Sequence, residues 1–224
     1  MKDGTTYGGR LRKVFAALRQ TAGKPQIPEL DEPLRRLAVA ILGVDTSDEE
    51  AAEATDRILT SVVDWNEIRV SSAEHVYRVA GDGRSPGINR CQRLIEALQS
   101  IYDKENRLSL DGLKSIGRRD ARQYLEKLEG VDEYAVASVV LWSLGGHAIP
   151  VNDRLLAALR EADLVHPQAD RAEIQAFIER HVSAADAREF CVVIQSLVSG
   201  KRGSGKRTKA EPSARRNKKE RRAS

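Results

Sequence analysis

The sequence predicts an all-α protein. Apolar residues recur at the helical period of about 3.6 residues in several segments, most clearly in 88–102. Capping signals lie between these segments, such as Ser47 followed three residues later by Glu50. The alternation of polar and apolar residues that is typical of a β-strand is missing along the chain. We therefore expect about ten helices that are joined by short loops.

Segment 128–153, LEGVDEYAVASVVLWSLGGHAIPVND, contains the strongest signal in the chain. Its part Val131–Leu144 is apolar almost all round, which predicts a central helix that is buried on every side. Gly130 predicts a tight turn before this helix, and the Gly145–Gly146 pair predicts its end. Pro150 then precedes the start of another helix.

The other segments complete the predicted organisation. Residues 1–27 form an N-terminal segment with one short helix over 10–20, residues 28–199 form a helical domain, and residues 200–224 form a disordered basic tail. Residues 64–70 are expected to be irregular, and Ser71 with Glu74 predicts a second capping box. Further helices are expected over 31–43, 48–62, 71–79, 88–102, 109–116, 118–128, 153–162, 170–181 and 185–198.

The central segment resembles the helix-hairpin-helix and Gly/Pro-Asp (HhH-GPD) motif of endonuclease III-type DNA glycosylases, which act in base-excision repair. The match lies in hydrophobic pattern and spacing, and the order of helices agrees over roughly 31–199. This resemblance implies a two-lobed all-α fold with a cleft, and duplex DNA as the partner. The matching residues are Leu128, Glu129, Gly130, Val131 and Asp132, then Val151 and Asn152.

The predicted hairpin keeps its first glycine, Gly130, but has Asp132 where the family has a second glycine. Backbone N–H groups at such a turn bind a DNA phosphate, and a carboxylate there repels it. Two interpretations stay open: a weakened phosphate clamp, or a helix N-terminus with favourable acidic residues. The resemblance also implies DNA contacts by Asn89, Arg90 and Arg93, for which a solvated helix face is the alternative.

Two positions that carry chemistry in the family are changed. A Schiff-base lysine stands four residues after the first hairpin glycine in bifunctional members, and this chain has Tyr134 there, either at the DNA or packed in the core. The catalytic aspartate aligns with Asn152, and Asp153 follows. Either Asp153 replaces the missing carboxylate while Asn152 orients water or the sugar, or Asn152 is a helix cap beside Asp153.

The loop after the helix at 31–43 has Asp45 near the position where family members often place a base-replacing glutamine. Ordinary turn geometry explains the same residues equally well. Many relatives also hold an iron–sulfur cluster, which needs four thiolate ligands. This chain has two cysteines, Cys91 and Cys191, so we expect no cluster and no other cofactor.

The charge of the chain is unevenly distributed. Residues 200–224 contain eleven Lys or Arg and two Glu, a net charge of +9, so the rest of the chain sums to −5 against the total of +4. The tail is typical of nucleic-acid attachment, and a solubilising tail is the alternative. A run of about 18 apolar residues is missing, so we expect no membrane span and no membrane partner. The N-terminus lacks a secretory apolar segment, so we expect a location in the cytoplasm, associated with the nucleoid if the source is bacterial. We also expect a monomer.

Two functions therefore remain open from the sequence. One is a divergent DNA-repair protein that binds duplex DNA and, if active, is a monofunctional DNA N-glycosylase without abasic-site lyase activity. The other is a catalytically inactive, helical nucleic-acid-binding module with the same fold. The sequence specifies no protein partner and no particular damaged base.

Overall fold

A computed structural model describes residues 4–81 and 86–199. These residues form eleven α-helices and one 3-10 helix (Asp111–Lys114), and they contain no β-strand, which confirms the all-α prediction for this part of the chain. The predicted disordered tail, 200–224, lies outside the described residues. The α-helices are α1 (Gly4–Ala22), α2 (Pro33–Gly43), α3 (Asp48–Ser61), α4 (Trp65–Arg69), α5 (Ala73–Ala80), α6 (Ile88–Glu105), α7 (Arg118–Glu126), α8 (Glu133–Trp142), α9 (Asp153–Glu161), α10 (Arg171–His181) and α11 (Ala187–Ser199).

Helix α8 is the central helix, as its apolar composition predicts. Every residue from Tyr134 to Trp142 is buried, because α8 packs against α2, α7 and α11. Gly145 has a φ of 60°, and the Gly146 N–H group donates to the Val140 carbonyl at 2.7 Å. This left-handed turn satisfies a carbonyl at the end of the helix and turns the chain toward α9.

The helices form two groups that meet at α8. Helices α2 to α6 pack on one another, with α2 against α3 and α6, and α5 against both α3 and α6. Helix α11 packs on α1 and α9, and α1 also contacts α10. Helix α8 contacts α2 in the first group and α11 in the second. The starts of α3 and α9 lie near this junction, because Tyr134 of α8 donates to Asp48 of α3 and the Val44 carbonyl accepts the N–H of Asp153. In the described ranges, no helix combines the length and apolar character needed to cross a membrane.

Helix α1 is longer than the sequence predicts. It begins at Gly4 rather than at Arg10, because its apolar face extends back to Tyr7, whose ring lies 6.3 Å from that of His166. Phe15 packs against Phe190 of α11 with ring centroids 5.2 Å apart. The N-terminal helix is therefore packed on the domain.

Two local predictions were wrong in the part of the chain before α6. Residues 64–70 were expected to be irregular, but they contain α4, whose first amides donate to the Asp64 side chain. The cap of α5 is Ser72 and not Ser71, because the Ser72 hydroxyl accepts the N–H of His75 while the Ser71 hydroxyl donates to the Glu67 carbonyl. The predicted capping box of Ser47 and Glu50 at α3 is confirmed.

Candidate functional site

The turn between α7 and α8 is held by a glycine that packs against α6. Gly130 has a φ of 73°, a backbone angle that residues with a side chain rarely adopt. A Cβ atom at this position would lie 2.2 Å from the carbonyl oxygen of Arg93. The turn therefore requires glycine for its backbone angle and for its close approach to α6. Val131 follows and is half-buried.

Asp132 caps α8 and faces two arginines. Its Oδ1 accepts the N–H of Ala135 at 2.9 Å. Its Oδ2 lies 3.4 Å from Nη1 of Arg93 and 3.6 Å from Nη1 of Arg90. Asn89 is exposed at the start of the same helix, α6. Gly130, Asp132, Arg90 and Arg93, all predicted to contact DNA, thus lie together at the hairpin. The carboxylate among them caps the helix.

Tyr134, at the position of the family's lysine, is buried in the first turn of α8. Its hydroxyl donates to Oδ1 of Asp48 at 3.0 Å. Burial raises the pKa of the phenol well above its ordinary value, and the neighbouring charge of Asp48 adds to that effect. The phenol therefore stays protonated at neutral pH and acts as a hydrogen-bond donor.

The start of α9 places Asn152 and Asp153 differently. Asn152 is buried, and its Oδ1 caps the helix by accepting the N–H of Leu155 at 2.8 Å. The Asp153 side chain is 54% exposed and forms an ion pair with Arg171 of α10. The local structure is therefore the cap that the sequence offered as one of two alternatives. Asn152 is one of the residues that line a cavity, while the carboxylate of Asp153 contacts α10.

The loop between α2 and α3 lies against the start of α9. The Val44 carbonyl accepts the backbone N–H of Asp153 at 3.4 Å, and the next residue, Asp45, is exposed. Glu50 lies 3.7 Å from Arg154 of α9. The loop predicted to replace a base and the helix start predicted to carry catalysis therefore form one corner of the molecule.

Two adjoining cavities open at this corner, and together we name them the α3–α9 groove. Their volumes are about 250 and 120 Å³, and they share the lining residues Asp48, Glu49 and Gln195. The volume of the larger cavity is below the roughly 300–1,000 Å³ that is typical of sites for drug-sized ligands. This cavity therefore suits a smaller chemical group. The other lining residues are Gln26, Pro28, Arg36, Tyr134, Trp142, Pro150, Leu155, Cys191 and Val192 for the larger, and Thr46, Ser47, Asn152, Arg154 and Val198 for the smaller.

Sequence reasoning missed the pair of opposite charges in this groove, Asp48 and Arg36. Asp48 accepts the hydrogen bond of Tyr134, and its Oδ2 lies 3.8 Å from Nη1 of Arg36. The guanidinium of Arg36 also lies over the ring of Trp142, 5.8 Å from its centroid. No sequence signal indicates this group, because Asp48 occupies the first turn of α3, where an acidic residue is common for its effect on the helix dipole.

Comparison with solved structures finds the same arrangement of helices in DNA glycosylases. The 8-oxoguanine glycosylase/lyase of Clostridium acetobutylicum, in complex with DNA, is 14% identical with a TM-score of 0.66, over 90% of this chain and 71% of that chain. Endonuclease III in a trapped covalent DNA complex is 14% identical with a TM-score of 0.65, over 84% of each chain. This chain has the HhH-GPD DNA glycosylase fold. A thermostable thymine-DNA glycosylase, 16% identical, matches with a TM-score of 0.61 over 85% of this chain and 87% of its own.

The likeness is one of structure. No protein-family model matches the sequence, and no curated protein matches it. The structural likeness confirms the HhH-GPD fold that was predicted from the central segment. The two groups of helices agree with the two lobes expected of that fold.

The cysteines of this chain do not fit an iron–sulfur cluster. Such a cluster needs four thiolates, and the chain has two cysteines. Both are buried, and burial raises the pKa of Cys91 to about 11 and that of Cys191 further, so both remain thiols. In the described ranges, no group of three His, Cys, Asp or Glu residues is arranged to hold a metal ion.

Proposed function

We propose that this chain binds duplex DNA and holds a nucleotide, turned out of the helix, in the α3–α9 groove. Proteins that share the fold include a glycosylase/lyase and endonuclease III in complexes with DNA. The observation that carries the proposal is that Tyr134, Asn152 and Asp48 line this groove beside the α2–α3 loop. A cavity of this size, with aromatic, amide and charged groups, suits a planar nucleobase.

The reaction that suits the groove is hydrolysis of the N-glycosidic bond without cleavage of the strand. As the base leaves, positive charge develops on the sugar, and a carboxylate stabilises it while water adds to C1′. Asp48 supplies such a carboxylate at the groove. Tyr134 offers no amine, and the chain has no lysine between Lys127 and Gly200, so a Schiff-base route lacks a nearby nucleophile.

Asp153 was the carboxylate that the sequence offered for this role. Its neighbours Asn152 and Arg154 line the groove, whereas Asp153 is absent from the described lining and is paired with Arg171. The geometry therefore favours Asp48 over Asp153 as the residue that faces the sugar. Asn152, which is among the residues that line the groove, keeps the proposed role of orienting water or the sugar.

A non-catalytic nucleic-acid-binding module is the second candidate. It is favoured by Asn152, which carries no charge at the position of the family's aspartate and whose oxygen is already bound to the N–H of Leu155. Such a module would bind DNA through the same hairpin and release no base.

A single panel of DNA substrates separates the two candidates. The protein is incubated with duplexes that contain oxidised, alkylated, deaminated or mismatched bases, and alkali then cleaves any abasic site. The enzyme proposal predicts base release that is lost in Asp48→Asn and kept in Asp153→Asn, a matched change of the same charge outside the groove lining. Binding without release on any substrate would establish the module instead.

A further inference from the structure

The hairpin of this chain contains an anionic group of its own, the side-chain carboxylate of Asp132. In the described structure the carboxylate of Asp132 accepts an N–H at the start of α8 and lies within 4 Å of two guanidinium groups of α6. These are groups that would attract a DNA phosphate at the same turn: a helix N-terminus and positively charged side chains. A phosphate that approaches the hairpin therefore competes with Asp132.

The contacts of this carboxylate with the arginines are loose. The distances of 3.4 and 3.6 Å exceed those of strong charge-assisted hydrogen bonds, which are about 2.7–2.9 Å. The side chains of Arg90 and Arg93 are 19% and 43% exposed, and that of Asp132 is 24% exposed. Partly exposed pairs of this kind contribute little to stability, so the guanidinium groups can transfer to another anion at a small energetic cost.

The negative charges at the turn also weaken the attraction of the backbone N–H groups for a phosphate. Asp132 and Glu133 bring two negative charges to the start of α8, against a partial positive charge of about half a unit from the helix. Arg90 and Arg93 offset these two charges. Without α6, the hairpin would repel a phosphodiester.

We propose that Arg90 and Arg93, rather than the amides of α8 alone, bind phosphate at this hairpin, and that Asp132 is an internal competitor that lowers DNA affinity. A guanidinium offers planar, paired donors that suit phosphate oxygens, and each arginine can take one phosphate or both can share one. The inference rests on the proposed binding of duplex DNA and assigns the groups that carry it.

The test is a titration of a short, undamaged duplex with the full chain at several salt concentrations. Arg90→Ala combined with Arg93→Ala is expected to weaken binding about tenfold or more. It should also flatten the dependence of log affinity on log salt by about 0.9 for each phosphate that the protein no longer neutralises. Replacing both arginines with Lys should keep most of the salt dependence. Arg180→Ala serves as the control, because this exposed arginine of α10 donates to the Ala176 carbonyl of its own helix.

Asp132→Asn gives the opposite expectation. Asparagine caps a helix as well as aspartate does, so α8 is retained while the competing charge is removed. Affinity for the duplex should rise about threefold to tenfold with an unchanged melting temperature. Asp132→Ser, which also caps, replaces this variant if the asparagine form unfolds.

The outcomes separate this inference from the function on which it rests. If the wild type binds duplex but the double alanine variant has the same affinity and salt dependence, the arginine assignment is overturned and duplex binding stands. If removal of the Asp132 charge weakens binding, the competitor role is overturned. If the wild type does not bind duplex even at low salt, the proposed function fails and the assignment falls with it.

Discussion

Asn152 differs from the family's aspartate by one group, and the two residues share only part of their chemistry. The amide oxygen of Asn152 caps α9, as a carboxylate oxygen would. Its side chain carries no charge, so it cannot stabilise a cation on the sugar as a carboxylate can. The position therefore keeps its structural role and loses its electrostatic one.

Substitutions at Asn152 should separate these two roles. Asn152→Ala removes the cap and should lower the free energy of unfolding by about 1 kcal/mol, which corresponds to a fall of roughly 2–4 °C in melting temperature for a chain of this size. Asn152→Asp keeps the cap and adds a charge that the helix dipole favours, so its melting temperature should stay near that of the wild type at neutral pH. Thermal denaturation of the three proteins checks both expectations, and equal destabilisation of the two variants would contradict the capping role.

Glu50 predicts a dependence of stability on pH. Hydrogen bonds from Thr46 and Ser47 lower its pKa from the ordinary 4.5 to about 2. Because the folded pKa is depressed, the stabilisation is complete above about pH 4.5 and is lost as the pH falls toward about 2. The side chain is 48% exposed, so the effect should stay below about 1 kcal/mol. Urea unfolding should show a wild-type advantage over Glu50→Gln at neutral pH that shrinks near about pH 3; an advantage that grows on acidification would refute this.

At the scale of elements, the hairpin depends on how closely α6 approaches the turn before α8. Gly130→Ala combines a positive φ with a Cβ placed 2.2 Å from a backbone oxygen of α6. Left-handed strain and overpacking together should lower the free energy of unfolding by about 2–4 kcal/mol. Calorimetry should therefore show a clear fall in melting temperature.

Gly9→Ala is the matched control for that substitution. Gly9 lies within α1, and a Cβ there meets nothing within 4 Å. Alanine is favoured over glycine inside a helix by up to about 1 kcal/mol, so this variant should be as stable as the wild type or slightly more stable. Similar destabilisation of both glycine variants would show that the close approach to α6 does not determine the effect.

The elements that could be predicted from sequence are those whose signals are local. The apolar run of α8, the Ser47–Glu50 box and the glycine turns depend on residues within a few positions of one another. Helix α4 escaped prediction because its five residues are too few to show a helical period. Its only local signal was the cap, Asp64.

The contacts that define the candidate site are not local, and this is why sequence reasoning found only part of it. Tyr134 and Asp48 are 86 residues apart, and Asp132 is 39 residues from Arg93. Their pairing depends on the packing of α8 against its neighbours, which no spacing in the sequence reveals. The resemblance to the family drew attention to Tyr134 and Asn152, which line the groove. It could not draw attention to Asp48, because Asp48 does not stand at a position where the family has a catalytic residue.

At the scale of the whole molecule, charge is separated between the body and the tail. The residues before 200 sum to −5, and residues 200–224 carry +9. A body with net negative charge is repelled by the DNA backbone at long range, so attraction must come from local arginines and from the tail. We therefore expect the tail to supply much of the salt-dependent, sequence-independent affinity, while the hairpin and groove position the duplex.

Neutralising the tail without shortening it tests this division. A variant in which the eleven Lys and Arg residues of 200–224 are changed to Gln should bind duplex at least about tenfold more weakly at low salt. The dependence of log affinity on log salt should flatten in proportion to the number of phosphates that the tail neutralises, by about 0.9 for each one. Its melting temperature should not change, because the sequence of the tail contains no large apolar residue to contribute to a hydrophobic core. If affinity and salt dependence equal those of the wild type, the tail is a solubilising segment, and the arginines of the body must overcome the repulsion of the DNA by themselves.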